Sequence, residues 1–133
     1  MAISNKKVYL KSDIEKVWNI VTSLGNYKWR SDIVKIEMLE KGKKFVEYTK
    51  DGYKTIFTIT HFESEKRYEF DMENENMKGH WIGIFSKYSD GTLIDFTEDV
   101  NVKKIIMKPF AKIYLKNQQK CYINDLKKEL NIR

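Results

Sequence analysis

Apolar and polar residues change their spacing twice along the chain, and each change predicts a different kind of element. Over residues 14–24 the apolar side chains recur at helical spacing, so this segment is expected to form a helix with one buried face. Ser12 and Glu15 have the spacing of a capping box at its start, and Gly25 is suited to end it. A short strand is expected before the helix, over residues 6–10.

Between residues 33 and 100, apolar residues alternate with polar ones, as they do in half-buried strands. Turn signals at Lys41–Gly42, Asp51–Gly52, Ser64–Glu65 and Asp90–Gly91 divide this segment into six strands joined as antiparallel hairpins. Helical spacing returns after residue 100, with Pro109 placed to start or kink the helix. This order predicts one α+β domain over residues 1–133, in which an antiparallel sheet of about seven strands curves around a long C-terminal helix.

The register of the hairpins predicts which side chains point toward that helix. Two-residue turns are expected at residues 41–42, 64–65 and 90–91. A three-residue loop over residues 50–52, with Gly52 in the left-handed conformation, keeps the inner face consistent between neighbouring strands. The expected inward pairs are Tyr68 with His61, Phe85 with Phe96, Ile36 with Glu47 and Phe45 with Phe57.

Two carboxylates are unusual on the inner face, because their neighbours are aromatic or aliphatic. Glu47 and Glu98 both point inward in this register, and a buried carboxylate must be paired, hydrated or protonated. The nearest candidate cation is Arg30, which follows Trp29 in the connection NYKWRSDI. A contact between Arg30 and Glu47 has two interpretations: a structural tie near the sheet edge, or the polar part of a ligand cavity.

Several segments together resemble one protein superfamily. They are the early I-x-x-V-W helix, NYKWRSDI, KFVEYT, MKGHWIG, DGTLIDFTEDV and the long final helix. Over nearly its whole length the chain is similar to the START-like (SRPBCC) superfamily, in its bacterial polyketide cyclase/dehydrase-like branch. The resemblance implies a helix-grip fold, in which the sheet wraps the C-terminal helix and encloses a cavity for lipids, polyketides or other hydrophobic molecules. It carries over no catalytic motif, although Trp29 and Glu47 match recurrent positions.

Charge and composition narrow the range of partners. The chain has 25 Lys and Arg against 19 Asp and Glu, a net charge of +6, but Arg occurs only at positions 30, 67 and 133. No specific nucleic-acid partner is therefore expected, since base and phosphate recognition favours Arg. One cysteine, Cys121, and two histidines, His61 and His80, predict neither a disulfide nor a metal site, and no cofactor is expected. No apolar run of about 18 residues predicts a membrane span, and the first residues lack the apolar region of a signal peptide, so a cytoplasmic location is expected.

Binding of a hydrophobic small molecule between the sheet and the last helix is the function expected first. The side chains expected to contact it are Trp29, Arg30, Phe45, Glu47, Phe57, Phe70, Met72, Trp81, Phe85, Phe96, Glu98, Gln118 and Tyr122. A packed core built from the same aromatic residues is the structural alternative.

Two other functions stay open. A cyclase- or dehydrase-like enzyme would use Glu47 or Glu98, with its pKa raised by burial, as the acid or base, and Arg30 or a tyrosine to stabilise an enolate-like oxygen. A docking module would make peripheral contact with a membrane, or bind another macromolecule, through lysines that recur every four residues along the last helix. These lysines are at positions 104, 108, 112, 116 and 120. Neither catalysis nor an oligomeric state is assigned by these residues.

Overall fold

A computed structural model describes residues 2–133 and has the expected order of elements. The strands and helices are β1 (Ala2–Leu10), α1 (Ile14–Thr22), β2 (Lys35–Glu40), β3 (Lys44–Tyr48), β4 (Lys54–Glu63), β5 (Arg67–Glu73), β6 (Met77–Tyr88), β7 (Gly91–Val102) and α2 (Ala111–Glu129). A 3-10 segment, Ile105–Phe110, precedes α2 and contains Pro109. The first strand begins earlier than predicted, and the other elements correspond to the predicted pattern.

All seven strands form one antiparallel sheet in the order β1-β7-β6-β5-β4-β3-β2. Strands β2 to β7 are joined as consecutive hairpins, and β1 pairs with β7 at one edge. The predicted pairing of Phe45 with Phe57 and of Ile36 with Glu47 is confirmed, as is the left-handed conformation of Gly52. Apolar residues from both helices and from the inner face of the sheet share one core, so the helix-grip prediction is confirmed.

The hairpin between β4 and β5 departs from the predicted two-residue turn. Its loop has three residues, and Glu65 adopts a left-handed backbone with a φ of 60°. A bulge between Ile59 and His61 restores the pairing further along the strand. The prediction that His61 points inward is therefore wrong. Phe62 pairs instead with the inward-facing Tyr68 and packs against Trp18 of α1, with 5.3 Å between ring centroids. An apolar ring therefore takes the inward register position, although both Phe62 and His61 are exposed at this end of the strand.

The hairpin between β6 and β7 turns one residue earlier than predicted. Its loop residues are Ser89 and Asp90, and Gly91 is already paired in the strand. A Cβ on Gly91 would lie 2.3 Å from the carbonyl oxygen of Leu10, so the glycine is needed for the close approach of β1 and not for the turn. The pairing shifts by two residues, which leaves every side chain on its predicted face. The observed partners are Phe85 with Ile94, Gly83 with Phe96 and Trp81 with Glu98.

Helix α1 buries the predicted face but lacks the predicted caps. Its buried residues are Ile14, Val17, Trp18 and Val21. Asp13 precedes the helix without a side-chain hydrogen bond to it, and the helix ends at Thr22, before Gly25. Burial of the apolar face, and not capping, therefore fixes α1 on the sheet.

Helix α2 crosses the inner face of the sheet, and two buried polar side chains tie it to β1 and to the connection between α1 and β2. Gln119 accepts a hydrogen bond from the Ser4 hydroxyl at 2.7 Å and donates one to the Ser4 carbonyl oxygen at 3.1 Å. Asp125 accepts hydrogen bonds from the backbone N–H and the hydroxyl of Ser31, both at 2.8 Å. These ties hold the helix above the sheet and leave a space between them.

Candidate ligand cavity

A cavity of about 930 Å³ lies between the inner face of the sheet and α2. This volume is within the range of small-molecule sites. Its wall includes exposed residues from the β3–β4 loop and the 3-10 segment, among them Tyr53, Ile106 and Phe110, so the cavity opens to solvent there. The predicted residues on the wall are Arg30, Glu47, Phe57, Phe70, Met72, Trp81, Phe96, Glu98, Gln118 and Tyr122. The inward register thus brings these side chains around one space, and their contact with a ligand stays a prediction.

Two of the predicted aromatic residues belong to the packed core and not to the wall. Phe45 stacks against Phe57, with 4.9 Å between the ring centroids. Phe85 packs beneath α1, with its ring centroid 4.9 Å from that of Trp18. Both point inward as the register predicts, but other rings lie between them and the cavity, and strand alternation does not give this depth.

Trp29 also lies away from the wall. Its indole Nε1 donates a hydrogen bond to the carbonyl oxygen of Asn26 at 3.1 Å. Its ring packs edge-on against Tyr122, with 5.2 Å between centroids. Trp29 therefore supports a residue of the wall and does not itself face the cavity.

Arg30 is a buried cation of the wall, and two carboxylates hold it. Its Nη1 donates to one oxygen of Glu47 at 2.7 Å, and its Nη2 donates to the other at 3.2 Å. Nε and Nη2 donate to the two carboxylate oxygens of Asp32 at 3.1 and 2.8 Å. The guanidinium carbon also lies 5.2 Å from the centroid of the Tyr122 ring, within cation–π distance. Arg30 is thus engaged on both edges and on one face.

Burial and charge act in opposite directions on the Arg30–Glu47 pair. Burial raises the pKa of Glu47, and the charge and hydrogen bonds of Arg30 oppose that rise. Burial acts to lower the pKa of Arg30, but the carboxylates of Glu47 and Asp32 outweigh it and raise this pKa. Only 14% of each side chain of the pair is exposed, so it is a buried ion pair in which each partner depends on the other.

Glu98 is a wall carboxylate without such a partner. Its residue is 9% exposed, and within residues 2–133 no ion pair or hydrogen bond reaches its carboxylate. Every fully enclosed side-chain nitrogen or oxygen in that range has a hydrogen-bond partner, so the oxygens of Glu98 reach the cavity surface. Burial raises the pKa of Glu98 to about 7, with the charge of Glu47 adding to the rise and Arg30 opposing it. Glu98 can therefore gain or lose a proton near neutral pH.

Tyrosines add neutral polar groups to the same wall. Burial raises the pKa of Tyr68 and of Tyr122, so both hydroxyls stay protonated at neutral pH. Tyr114 of α2 accepts a hydrogen bond from the side-chain amide of Gln118 at 2.7 Å. Tyr68 was recognisable from the alternation of β5. Asp32 and Tyr114 were missed, since a loop residue has no register and an exposed helix residue gives no burial signal.

The other candidate groups lie outside the cavity. The ring nitrogens of His80 lie 2.6 Å from Asp71 and 2.8 Å from Glu69 on the outer face of the sheet. Cys121 is half-buried, with its sulfur 3.3 Å from the hydroxyl of Ser31. Among residues 2–133 no group of three or more His, Cys, Asp and Glu is arranged to hold a metal ion. In the same range, no helix is long and apolar enough to cross a membrane.

Comparison with known families agrees with this architecture. Residues 1–131 match the family described as polyketide cyclase / dehydrase and lipid transport. The chain belongs to this family. The resemblance inferred from NYKWRSDI, KFVEYT and the accompanying segments is thereby confirmed. No curated protein matches the chain.

Solved structures share the fold at low sequence identity. A START superfamily protein from Mycobacterium smegmatis has a TM-score of 0.90 and 15% identity, with 98% of both chains covered. A conserved protein from Geobacillus kaustophilus has a TM-score of 0.83 and 16% identity, over 97% of this chain and 95% of that one. A protein from the dynemicin biosynthetic locus has a TM-score of 0.79 and 13% identity, over 98% of this chain and 48% of its own. These likenesses show the START-like fold of the family.

Proposed function

We propose that the protein binds a hydrophobic small molecule in the cavity beneath α2. The observation that carries this proposal is the cavity itself, about 930 Å³ of space left open beside a well-packed core. A protein interior is normally filled by its own side chains, so an open space of this size needs an occupant or a function.

The chemistry of the wall supports an apolar occupant. The rings of Phe70 and Trp81 are stacked, with 4.9 Å between their centroids, and Phe57 and Phe96 extend this aromatic surface on either side. Met72 adds a flexible apolar side chain to the same wall. The charged groups on the less exposed part of the wall are Arg30, Glu47 and Glu98, and the other polar groups there are hydroxyls and amides. Four further charged residues of the wall are exposed: Lys6, Asp32, Lys50 and Asp51. Apolar walls with a few convergent polar groups are typical of small-molecule sites.

A neutral fluorescent probe, N-phenyl-1-naphthylamine, tests this proposal on the purified and delipidated protein. Gln118 and Asn117 are both exposed on α2, but only Gln118 lines the cavity. Gln118→Trp places an indole ring in the cavity and is expected to weaken probe binding by about tenfold. This corresponds to a loss of about 1.4 kcal/mol in binding free energy. Asn117→Trp is the matched control and should bind the probe like the unaltered protein. Absence of saturable binding, or equal loss in both variants, contradicts the proposal.

A second candidate function is docking on an anionic membrane surface, and the exposed apolar side chains near the mouth of the cavity favour it. Ile106, Phe110 and Ile113 are 78, 66 and 62% exposed. Lys108, Lys112 and Lys116 are exposed beside them, as are the other lysines predicted to form a stripe. Apolar side chains flanked by lysines are typical of segments that bind the interface of an anionic bilayer. Since Ile106 and Phe110 also belong to the wall, a ligand could pass between membrane and cavity at this place.

Co-sedimentation with vesicles tests the docking function. Binding to phosphatidylcholine vesicles that contain phosphatidylserine is expected, together with a loss of binding at high salt. Phe110→Asp should abolish binding, whereas Val34→Asp should not, because Val34 is an exposed apolar residue outside this surface. Equal behaviour of the two variants contradicts docking through this surface.

The geometry supports an acid–base enzyme less directly. Arg30 holds both oxygens of Glu47, so neither is free for the roles expected from the sequence. Glu98 would have to serve as acid and base alone. Binding of a ligand accounts for the arrangement with fewer assumptions.

A further inference from the structure

We propose that the cavity selects hydrophobic molecules that carry a basic nitrogen, which pairs with Glu98, over molecules of the same size that carry a carboxylate. The inference rests on the proposed ligand-binding function and names the chemical class of the ligand. Its basis is the position of Glu98 and the balance of charges on the wall.

Glu98 is placed to receive a ligand group and not to stabilise the protein. It lies in the middle of β7, between Ser4 of β1 and Trp81 of β6. The Ser4 hydroxyl is already used as a donor to Gln119, and an indole ring opposite Glu98 offers its apolar surface. The carboxylate therefore faces the cavity with its hydrogen-bonding capacity unused in the described part of the chain.

The cations of the wall do not compensate Glu98. Arg30 donates to both oxygens of Glu47 and both oxygens of Asp32, so its positive charge is already opposed by two negative ones. Lys6 and Lys50 also line the cavity, but both are exposed, and neither is among the charges that shift the pKa of Glu98. The buried part of the wall thus has an excess of negative charge whenever Glu98 is ionised.

Several elements contribute the groups that act on Glu98. Glu47 from β3 raises the pKa of Glu98, and Arg30 from the connection between α1 and β2 lowers it, while burial has the largest effect. Burial, and after it the charge of Glu98, raises the pKa of Tyr114 from α2. None of these groups supplies a free positive charge. A ligand ammonium would supply it and donate a charge-assisted hydrogen bond, whereas a ligand carboxylate would add another negative charge.

Three probes with the same alkyl chain separate the alternatives: dodecylamine, dodecanol and dodecanoic acid, each used to displace N-phenyl-1-naphthylamine. At about pH 8 the amine is expected to bind about tenfold more tightly than the alcohol, and the acid about tenfold less tightly, each a difference of about 1.4 kcal/mol. Affinity for the amine should fall about tenfold between about pH 8 and pH 6, because Glu98 must lose its proton to form the pair. Glu98→Gln should remove the preference and its pH dependence. Glu75→Gln, which removes an exposed carboxylate outside the cavity wall, should retain both.

The outcomes distinguish this inference from the proposed function. Equal affinities for amine and alcohol, or an amine preference that persists in Glu98→Gln, overturn the inference while ligand binding stands. Tighter binding of the alcohol at low pH also overturns it, because Glu98 would then act as a neutral hydrogen-bond donor. Failure of all the probes, including the neutral fluorescent one, refutes the proposed function and the inference together.

Discussion

Replacement of Arg30 by methionine should destabilise the protein strongly, because it leaves Glu47 buried without its partner. Both side chains of the pair are only 14% exposed, and the variant loses two hydrogen bonds to Glu47, of 2.7 and 3.2 Å. Removal of one partner of a buried pair typically costs about 3–5 kcal/mol. Arg30→Met is expected to lower the free energy of unfolding by that amount. Urea unfolding at neutral pH, followed by tryptophan fluorescence, measures it.

The double variant Arg30→Met/Glu47→Met distinguishes the loss of a partner from a loss of packing. Without the orphaned carboxylate, most of the stability should return, to within about 1–2 kcal/mol of the unaltered protein. The matched control is Arg67→Met, which removes a 42% exposed guanidinium from its contact with Glu69 and should cost less than about 1 kcal/mol. A small effect of Arg30→Met, similar to that of the control, would refute the interpretation of this contact as a buried ion pair.

The pH dependence of Arg30→Met gives an independent check. Burial already raises the pKa of Glu47, and loss of the guanidinium removes the main opposing influence. A carboxyl whose pKa is higher in the folded state than in the unfolded state favours folding at low pH and loses that advantage as the pH rises. The destabilisation of Arg30→Met should therefore diminish as the pH is lowered toward 5. A deficit independent of pH would show that charge is not its cause.

Two further predictions concern Glu98 and the glycines. The pKa of Glu98 is raised from 4.5 to about 7, so the free energy of unfolding should fall by up to about 3 kcal/mol as the pH rises through this interval. Glu98→Gln should abolish this part of the pH profile, as measured by urea unfolding. Gly91→Ala should lower stability by about 1–3 kcal/mol, because the added Cβ would lie 2.3 Å from the carbonyl oxygen of Leu10. Gly25→Ala, whose Cβ meets nothing within 4 Å, should change stability by less than about 0.5 kcal/mol, and equal melting temperatures for the two variants would contradict the role assigned to Gly91.

The fold could be predicted because period-two alternation and hairpin turns specify an antiparallel sheet almost completely. The two predicted turns that were wrong depend on residues whose type does not indicate their role in the structure. Gly91 resembles a turn glycine, but it lies in β7, where the absence of a Cβ allows the close approach of β1. Glu65 adopts a left-handed conformation, which a glutamate does not indicate in a sequence. The predicted loop length and the predicted orientation of His61 were therefore both wrong.

The candidate site was predictable to the extent that it depends on which face a residue occupies. Glu47 and Glu98 were recognisable as carboxylates on an apolar face, and Arg30 as the nearest cation. The distance of a ring from the cavity depends on how neighbouring rings pack, and strand alternation does not show this. For that reason the prediction that Phe45 and Phe85 contact a ligand included two rings that belong to the packed core. The exposure of Ile106 and Phe110 was equally hidden, because helical periodicity does not show how far the sheet extends beneath the helix.

The pairing of β1 with β7 has a consequence for how the chain acquires its structure. The six strands from β2 to β7 can form in order from neighbouring hairpins, which bring together residues that are close in sequence. Strand β1 has no such neighbour, since Ala2 pairs with Val100 and Leu10 with Thr92. During synthesis β1 is made before the other six strands, and it can pair only after β7, the last of them, has been made. Contacts between such distant residues slow folding, so docking of β1 is expected to be the late step that completes the sheet.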